Sequence, residues 1–314
     1  CKRIYPFRKQ SIYKMEIKEI INGIKLDNAR ALAKGLSMIE NSPERGIELL
    51  RNIDFSNRSP IVGITGAPGS GKSTLVNALA TFWLEKGHKV AVLAVDPSSP
   101  FNTGSILGDR LRMSRLFLND NIFIRSVSSR GSLGGLSQTM VEMADFISAT
   151  WFDYIIIETV GVGQSEVEIA GLADKTVVVT TPEGGDSIQA MKSGLMEIAD
   201  IFVVNKSDLK GSEKMVSYLK EMAHGRFNDR DVPVISTIAN EFDGINELSK
   251  QIFSMTHKVN YLKSMILNSK KAYEIIAQHR MQDVTSSKLL EDLKAEQNNK
   301  GFNLYVWLQK YLND

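Results

Sequence analysis

Residues 66–73 read Gly66-Ala67-Pro68-Gly69-Ser70-Gly71-Lys72-Ser73, a complete G-x-x-x-x-G-K-[ST] phosphate loop. It follows the apolar run Ile61, Val62, Ile64 and precedes a helix-like stretch from Thr74 to Lys86, the strand-to-helix context such a loop needs. Glycines there let backbone N–H groups converge on a polyanion, while the helix presents its positive end. Lys72 offers an ammonium to the β and γ phosphates and the Ser73 hydroxyl a ligand to magnesium, with Thr74 extending the binding segment. The loop therefore commits the chain to an α/β layer that binds a nucleoside triphosphate.

The base is read about 135 residues further on, where the apolar run Ile201, Phe202, Val203, Val204 ends in Asn205-Lys206-Ser207-Asp208. In an N-K-x-D turn the Asp208 carboxylate accepts from both N1–H and the exocyclic amine of guanine, a donor pair that adenine lacks. The ligand is thus GTP or GDP. Asn205 is expected to tie this turn to the phosphate loop, and the Lys206 stem to cover the base. After a short strand at 232–235, Ser236, Thr237 and Ile238 form the expected loop that closes on the guanine edge.

Two acids stand at strand ends. Asp96 follows the apolar run 90–95 and precedes Pro97-Ser98-Ser99-Pro100, while Glu158 follows 154–157 and precedes Thr159-Val160-Gly161-Val162-Gly163-Gln164. Carboxylates there reach the magnesium shell opposite Ser73, directly or through water. Asp109, in Gly108-Asp109-Arg110, approaches the same ion if the loop 97–109 closes, or caps the helix that follows. The candidate metal ligands are Ser73, Asp96, Asp109 and Glu158. Gly161 and Gly163 leave the segment after Glu158 free to sense a γ-phosphate.

Strands are expected near 61–65, 89–95, 122–126, 154–159, 175–181, 201–205 and 232–235, most followed by helical runs, which predicts a doubly wound, mostly parallel sheet of the α/β class. Ligands of such sheets bind at the carboxyl ends of strands, where every motif above falls. Three-to-four spacing of Ile17, Ile20, Ile21, Ile24, Leu32, Leu36 and Ile39 marks 15–57 as an N-terminal helical extension beside a nucleotide domain at 58–258. A helical segment follows at 259–314.

At 314 residues, 43% hydrophobic and 24% charged, the chain can bury one large core plus appended helices. A net charge of +2 gives no electrostatic case for a nucleic-acid partner. The single cysteine, Cys1, precludes an internal disulfide, and no apolar stretch reaches the ~18 residues that span a bilayer. These features predict no membrane partner and a cytoplasmic location, or the mitochondrial matrix in a eukaryote. Residues 1–14 carry Lys2, Arg3, Arg8, Lys9 and Lys14 with no acid, and read as a transit-peptide remnant or a trimmed or added tail outside the fold.

The stretches Asp96-Pro-Ser-Ser-Pro, Gly104-Ser-Ile-Leu-Gly-Asp109, Ile124-Arg-Ser, Arg130-Gly-Ser-Leu-Gly-Gly-Leu136, Glu158-Thr-Val-Gly-Val-Gly-Gln-Ser-Glu166 and Gln189-Ala-Met-Lys-Ser-Gly-Leu-Met-Glu-Ile-Ala-Asp200 resemble, in that order, the MeaB/ArgK family. The resemblance runs from about residue 20 to 260. It implies a P-loop GTPase related to signal-recognition and metallochaperone GTPases, which binds an adenosylcobalamin-dependent mutase, gates cofactor loading and protects the enzyme. Methylmalonyl-CoA mutase is the family's usual client. It also implies a homodimer built through C-terminal helices. Carried over by residue, Lys72, Asp96 and Glu158 are the candidate catalytic groups, and Gln164 stands where a water-orienting residue would be sought. The stretch 183–192, with Asp186, Gln189 and Lys192, resembles the family's additional switch. It departs from the commoner Pro-Gly-x-Gly-Asp form, reading Pro182-Glu183-Gly184-Gly185-Asp186, and the extra acid would alter the switch's contacts.

Two other functions fit these residues less well. A nickel-insertion GTPase needs a Cys/His cluster, and one terminal cysteine with His88, His224, His257 and His279 scattered along the chain supplies none in sequence. A kinase acting on an amino-acid-binding transport protein, the role preserved in the ArgK name, lacks a protein-kinase catalytic loop here.

Overall fold

The computed structural model describes residues 17–96, 116–128, 138–159, 161, 165–182, 194–223 and 232–256, and most of 265–312. Residues 1–259 form one compact unit and 260–314 a second.

Among the described residues the first unit has seven strands: β1 Ile61–Thr65, β2 Val90–Asp96, β3 Ile122–Ser128, β4 Tyr154–Glu158, β5 Lys175–Thr180, β6 Ile201–Asn205 and β7 Val234–Thr237. Their order is β3-β2-β4-β1-β5-β6-β7 and every pairing is parallel. A parallel sheet must be covered on both faces, and β1 and β6 are accordingly buried along their whole length. The two-residue period of a strand divides its side chains between the faces. Ile61, Leu93, Ile155 and Ile157 face one core, whereas Val62, Ile64, Val92, Ile156 and Val203 face the other.

Three N-terminal helices cover the first face: α1 Ile17–Ile24, α2 Ala29–Asn41 and α3 Pro43–Arg51. Asn28 caps α2, its side chain accepting from Arg30 N and Ala31 N at 2.9 and 3.1 Å. Ile20, Leu32, Leu36 and Ile39 pack with Met143, Phe146 and Ile147 of α5, Gln138–Ser148. The approach at Gly35 is close enough that a Cβ would lie 2.4 Å from Phe146 Cζ. Arg125 on β3 reaches across to α2, donating to Glu40 Oε2 at 2.6 Å and to Ala33 O at 3.2 Å. This extension therefore belongs to the same core as the sheet.

On the opposite face α4, Lys72–Glu85, packs Leu75, Val76, Leu79 and Trp83 against the strands and against Ile245, Leu248 and Ile252 of α7, Ile245–Thr256. Trp83 Nε1 donates to Ser249 Oγ at 2.9 Å, which satisfies the one polar atom of that buried indole. Helix α6, Ser212–Ala223, buries Met215 and Leu219 against Val178, Phe202 and Val204.

The edge opposite the motifs is pinned by aspartates. Asp153, Asp174 and Asp200 accept the amides of Lys89, Ile61 and Thr176 at 2.7, 2.8 and 2.9 Å, each carboxylate holding the start of a neighbouring strand. With that edge fixed, the carboxyl ends of β1, β4, β6 and β7 form a stable platform for loops.

The second unit contains helices Ser286–Glu296, Leu304–Trp307 and Gln309–Leu312. Asn303 caps the second, and Tyr311 donates its hydroxyl to the Asp292 carboxylate, an interaction that pushes the phenol up to about 12. Among the described residues no helix is long and apolar enough to cross a membrane.

Candidate nucleotide site

The phosphate loop leaves β1 at Gly66 and enters α4 at Lys72, with β4 and β5 on either side of β1. Two of its glycines are forced. Gly66 has φ +140° and a Cβ would fall 2.0 Å from Val179 O; Gly71 has φ +86° and a Cβ would fall 2.3 Å from Asn205 Nδ2. The left-handed turn at Gly71 lets α4 begin at once at Lys72, which sets the N-terminal end of the helix at the loop, the arrangement that binds phosphate. Ala67 is half-buried, while Pro68, Gly69 and Thr74 are exposed around the opening.

Lys72 is buried, its ammonium donating to Gly66 O at 2.8 Å and Ala67 O at 3.1 Å. A buried cation needs such partners, and these hold it within the loop that will carry the phosphates. Gly161, φ +87°, presses its backbone onto the same place. A Cβ there would lie 2.4 Å from Lys72 Nζ and 2.6 Å from Gly66 O.

The parallel register sets Glu158 level with Ile64, two residues before the loop. From there its nearly buried carboxylate accepts from Ser73 Oγ at 2.6 Å. Two hard oxygens thus converge at the first turn of α4, the donor type that magnesium takes. Among the described residues no group of three or more His, Cys, Asp or Glu gathers that could hold a metal. A pair of protein oxygens completed by phosphate and water suits magnesium, which keeps most of its shell outside the protein. The residues present fit that ion.

Asn205 closes β6 and is buried. Its Nδ2 donates to Ser70 O at 3.0 Å, while its Oδ1 accepts from Thr237 Oγ1 at 3.1 Å and Ala239 N at 3.2 Å. One amide side chain therefore joins the phosphate loop, the end of β7 and the turn beyond it. Lys206 adopts φ +55°, and Ser207 N donates to Thr237 O at 3.1 Å, which fixes the turn that leaves Asp208 exposed.

The guanine-edge segment is corrected. Ser236 and Thr237 lie within β7, Val234–Thr237, rather than in a loop after a strand at 232–235, and only Ile238 follows the strand. Ladder pairing to β6 runs from Phe202–Val234 to Asn205–Thr237, so the neighbour's register carries the strand two residues further. Thr237 is fully buried and serves Asn205, whereas Ser236 is exposed.

Asp96 ends β2 level with Ser128, its side chain lying outside what is described. Asp109, Gln164, Asp186, Gln189 and Lys192 lie outside the described residues. Two contacts at the site have no signal in the local sequence: Gly161 against Lys72, and a hydroxyl bridge between Thr65 and Thr159.

A glycine loop on a parallel sheet, a buried lysine within it and an Asn-Lys-x-Asp turn bonded to it define a P-loop GTPase, an enzyme that hydrolyses GTP. The chain belongs to the MeaB family: the sequence model of the methylmalonyl-CoA mutase-associated GTPase MeaB matches residues 32–298. A Pyrococcus abyssi protein named as a GTPase is 42% identical over 242 residues, covering 75% of each chain. The mouse mitochondrial methylmalonic aciduria type A homologue is 37% identical over 207 residues, 61% of this chain and 50% of the mouse protein. The crystal structure of a LAO/AO transport system kinase superimposes with a TM-score of 0.67 at 26% identity, covering 96% of this chain and 99% of that one.

Proposed function

We propose that this GTPase is a chaperone for an adenosylcobalamin-dependent acyl-CoA mutase, methylmalonyl-CoA mutase first among them, gating cofactor loading and protecting the enzyme. The observation that supports it most is a GTP site, tied together by Asn205, in a chain of the mutase-associated family.

In this reading Asp208 receives the two guanine donors, the Lys206 stem covers the base, and Ser236 and Ile238 border its edge, with Thr237 buried against Asn205 behind them. The loop 66–71 and the start of α4, through Thr74, surround the phosphates, and Lys72 offsets β and γ charge. Ser73 and Glu158 would hold magnesium, with Asp96 and Asp109 as the further candidate ligands, and the ion when bound would neutralise charge developing on the phosphates. Gln164 orients the attacking water. The contact of Gly161 with Lys72 Nζ gives the segment 161–166 a means of sensing whether the ammonium is engaged. The stretch 183–192, through Asp186, Gln189 and Lys192, relays that state to the mutase.

The sequence offers no evident arginine finger, Arg130 being the one internal candidate, and GTPases without one are slow until another surface completes the site, a gain of up to ~10³–10⁵-fold. Slow basal hydrolysis that accelerates on docking is therefore expected. Exposed Leu304, Tyr305 and Val306 in the second unit support a homodimer through the C-terminal helices. Hydrolysis measured with and without purified cobalamin mutases tests the reading: acceleration supports it, and a rate indifferent to every such mutase refutes it. The kinase reading suggested by the structural neighbour's name stands second, on that name alone.

A further inference from the structure

β1 and β4 are neighbours in the sheet; β1 ends in Thr65 and β4 is followed at once by Thr159, two threonines to which the motifs assign no role. Ladder pairing sets Ile64 level with Glu158, and Thr159 N donates to Ile64 O at 3.0 Å. Immediately beyond, Thr159 Oγ1 donates to Thr65 Oγ1 at 3.0 Å, and both residues are almost wholly buried. Thr65 directly precedes Gly66, whose carbonyl takes the Lys72 ammonium. Thr159 directly follows Glu158, whose carboxylate takes the Ser73 hydroxyl.

The geometry points to Thr65 and Thr159 as positioning residues: their hydroxyl bridge fixes the Glu158 carboxylate against Ser73 and so sets the site's affinity for the divalent cation that accompanies GTP. The inference rests on the GTP and magnesium reading above. A buried hydroxyl pair locks the spacing of the ends of β1 and β4 without adding charge, so it orients the ligand and leaves the electrostatics unchanged. Partners that orient metal ligands in this way typically control metal affinity by roughly 10–100-fold.

Calorimetric titration of the full chain with guanosine 5′-(β,γ-imido)triphosphate across a magnesium series tests it, using Thr65→Val, Thr159→Val, the double valine variant and Thr159→Ser. Magnesium demand is expected to rise roughly 10-fold or more in the valine variants. Affinity for GDP in excess chelator should stay at the wild-type level, and Thr159→Ser, which keeps the hydroxyl, should restore the wild-type magnesium demand. The double variant leaves neither hydroxyl without a partner, so it reads the effect even if a single valine unfolds the chain. Wild-type magnesium demand in the folded double variant overturns the inference. A wild-type chain whose nucleotide binding ignores magnesium overturns the underlying reading instead, and needs no variant to show it.

Discussion

Asn205 and Ser70 are 135 positions apart, yet the Asn205 amide donates to the Ser70 carbonyl at 3.0 Å inside the protein. The bond joins the turn that begins at Asn205 directly to the phosphate loop. Asn205→Ala would leave the Ser70 carbonyl, the Thr237 hydroxyl and the Ala239 amide without this partner, each buried loss costing ~1–3 kcal/mol before relaxation. The expected outcome is a drop of about 2–4 kcal/mol in urea-unfolding stability, with GTP and GDP affinities falling together. A variant that keeps stability and loses only affinity would place Asn205 on the ligand instead.

Asp208 is the residue proposed to carry the choice of base. Asp208→Asn exchanges a charged double acceptor for an amide whose NH₂ confronts the guanine donors, so guanine binding should weaken by at least ~1.5 kcal/mol. The same amide can donate to the 2-carbonyl of xanthine, so xanthosine triphosphate should gain relative to GTP. Calorimetry with GTP, ATP and xanthosine triphosphate reads both effects; equal wild-type affinity for ATP and GTP would sink the assignment.

Lys72→Ala should abolish hydrolysis and weaken triphosphate binding more than diphosphate binding, because the ammonium answers β and γ charge. Ser73→Ala should appear chiefly as lost magnesium dependence of nucleotide affinity. Single-turnover hydrolysis separates the two, and a Lys72→Ala chain cleaving GTP at the wild-type rate contradicts the loop's role.

Gly161→Ala places a methyl 2.4 Å from Lys72 Nζ on a backbone at φ +87°. The left-handed conformation alone costs ~1–2 kcal/mol for alanine, and the contact forces either the segment or the ammonium to move. GDP binding should survive while GTP hydrolysis falls at least about tenfold, the equivalent of ~1.4 kcal/mol in the barrier. Unchanged hydrolysis would separate this segment from the phosphate site.

The sheet and the phosphate loop could be read from the sequence because each is locally encoded: an apolar strand, forced glycines, then a helix with its first turn at Lys72. Asn205 and Asp208 were legible for the same reason, lying in one turn at a strand end. What depended on neighbours was not. β7 extends to Thr237 because its pairing with β6 does, and apolar Val232 and Pro233 before it shifted the expected start. Phe202 N donates to Pro233 O at 2.9 Å, so Pro233 joins the edge of the ladder only as an acceptor. Thr65 and Thr159 meet because β4 inserts beside β1 after two intervening strands, an adjacency that no local pattern carries. Arg125 and Glu40 are joined through the same kind of long-range packing.

The proposed function requires that nucleotide state control association with a cobalamin enzyme. Titrating the purified chain into fluorescently labelled methylmalonyl-CoA mutase, in excess GTP analogue, GDP or neither, puts that requirement to the test. Saturable binding whose dissociation constant differs between the GTP-analogue and GDP states by at least about fivefold, a coupling of ~1 kcal/mol, is the predicted result. Absence of binding in all three states, or identical affinity across them, would contradict it.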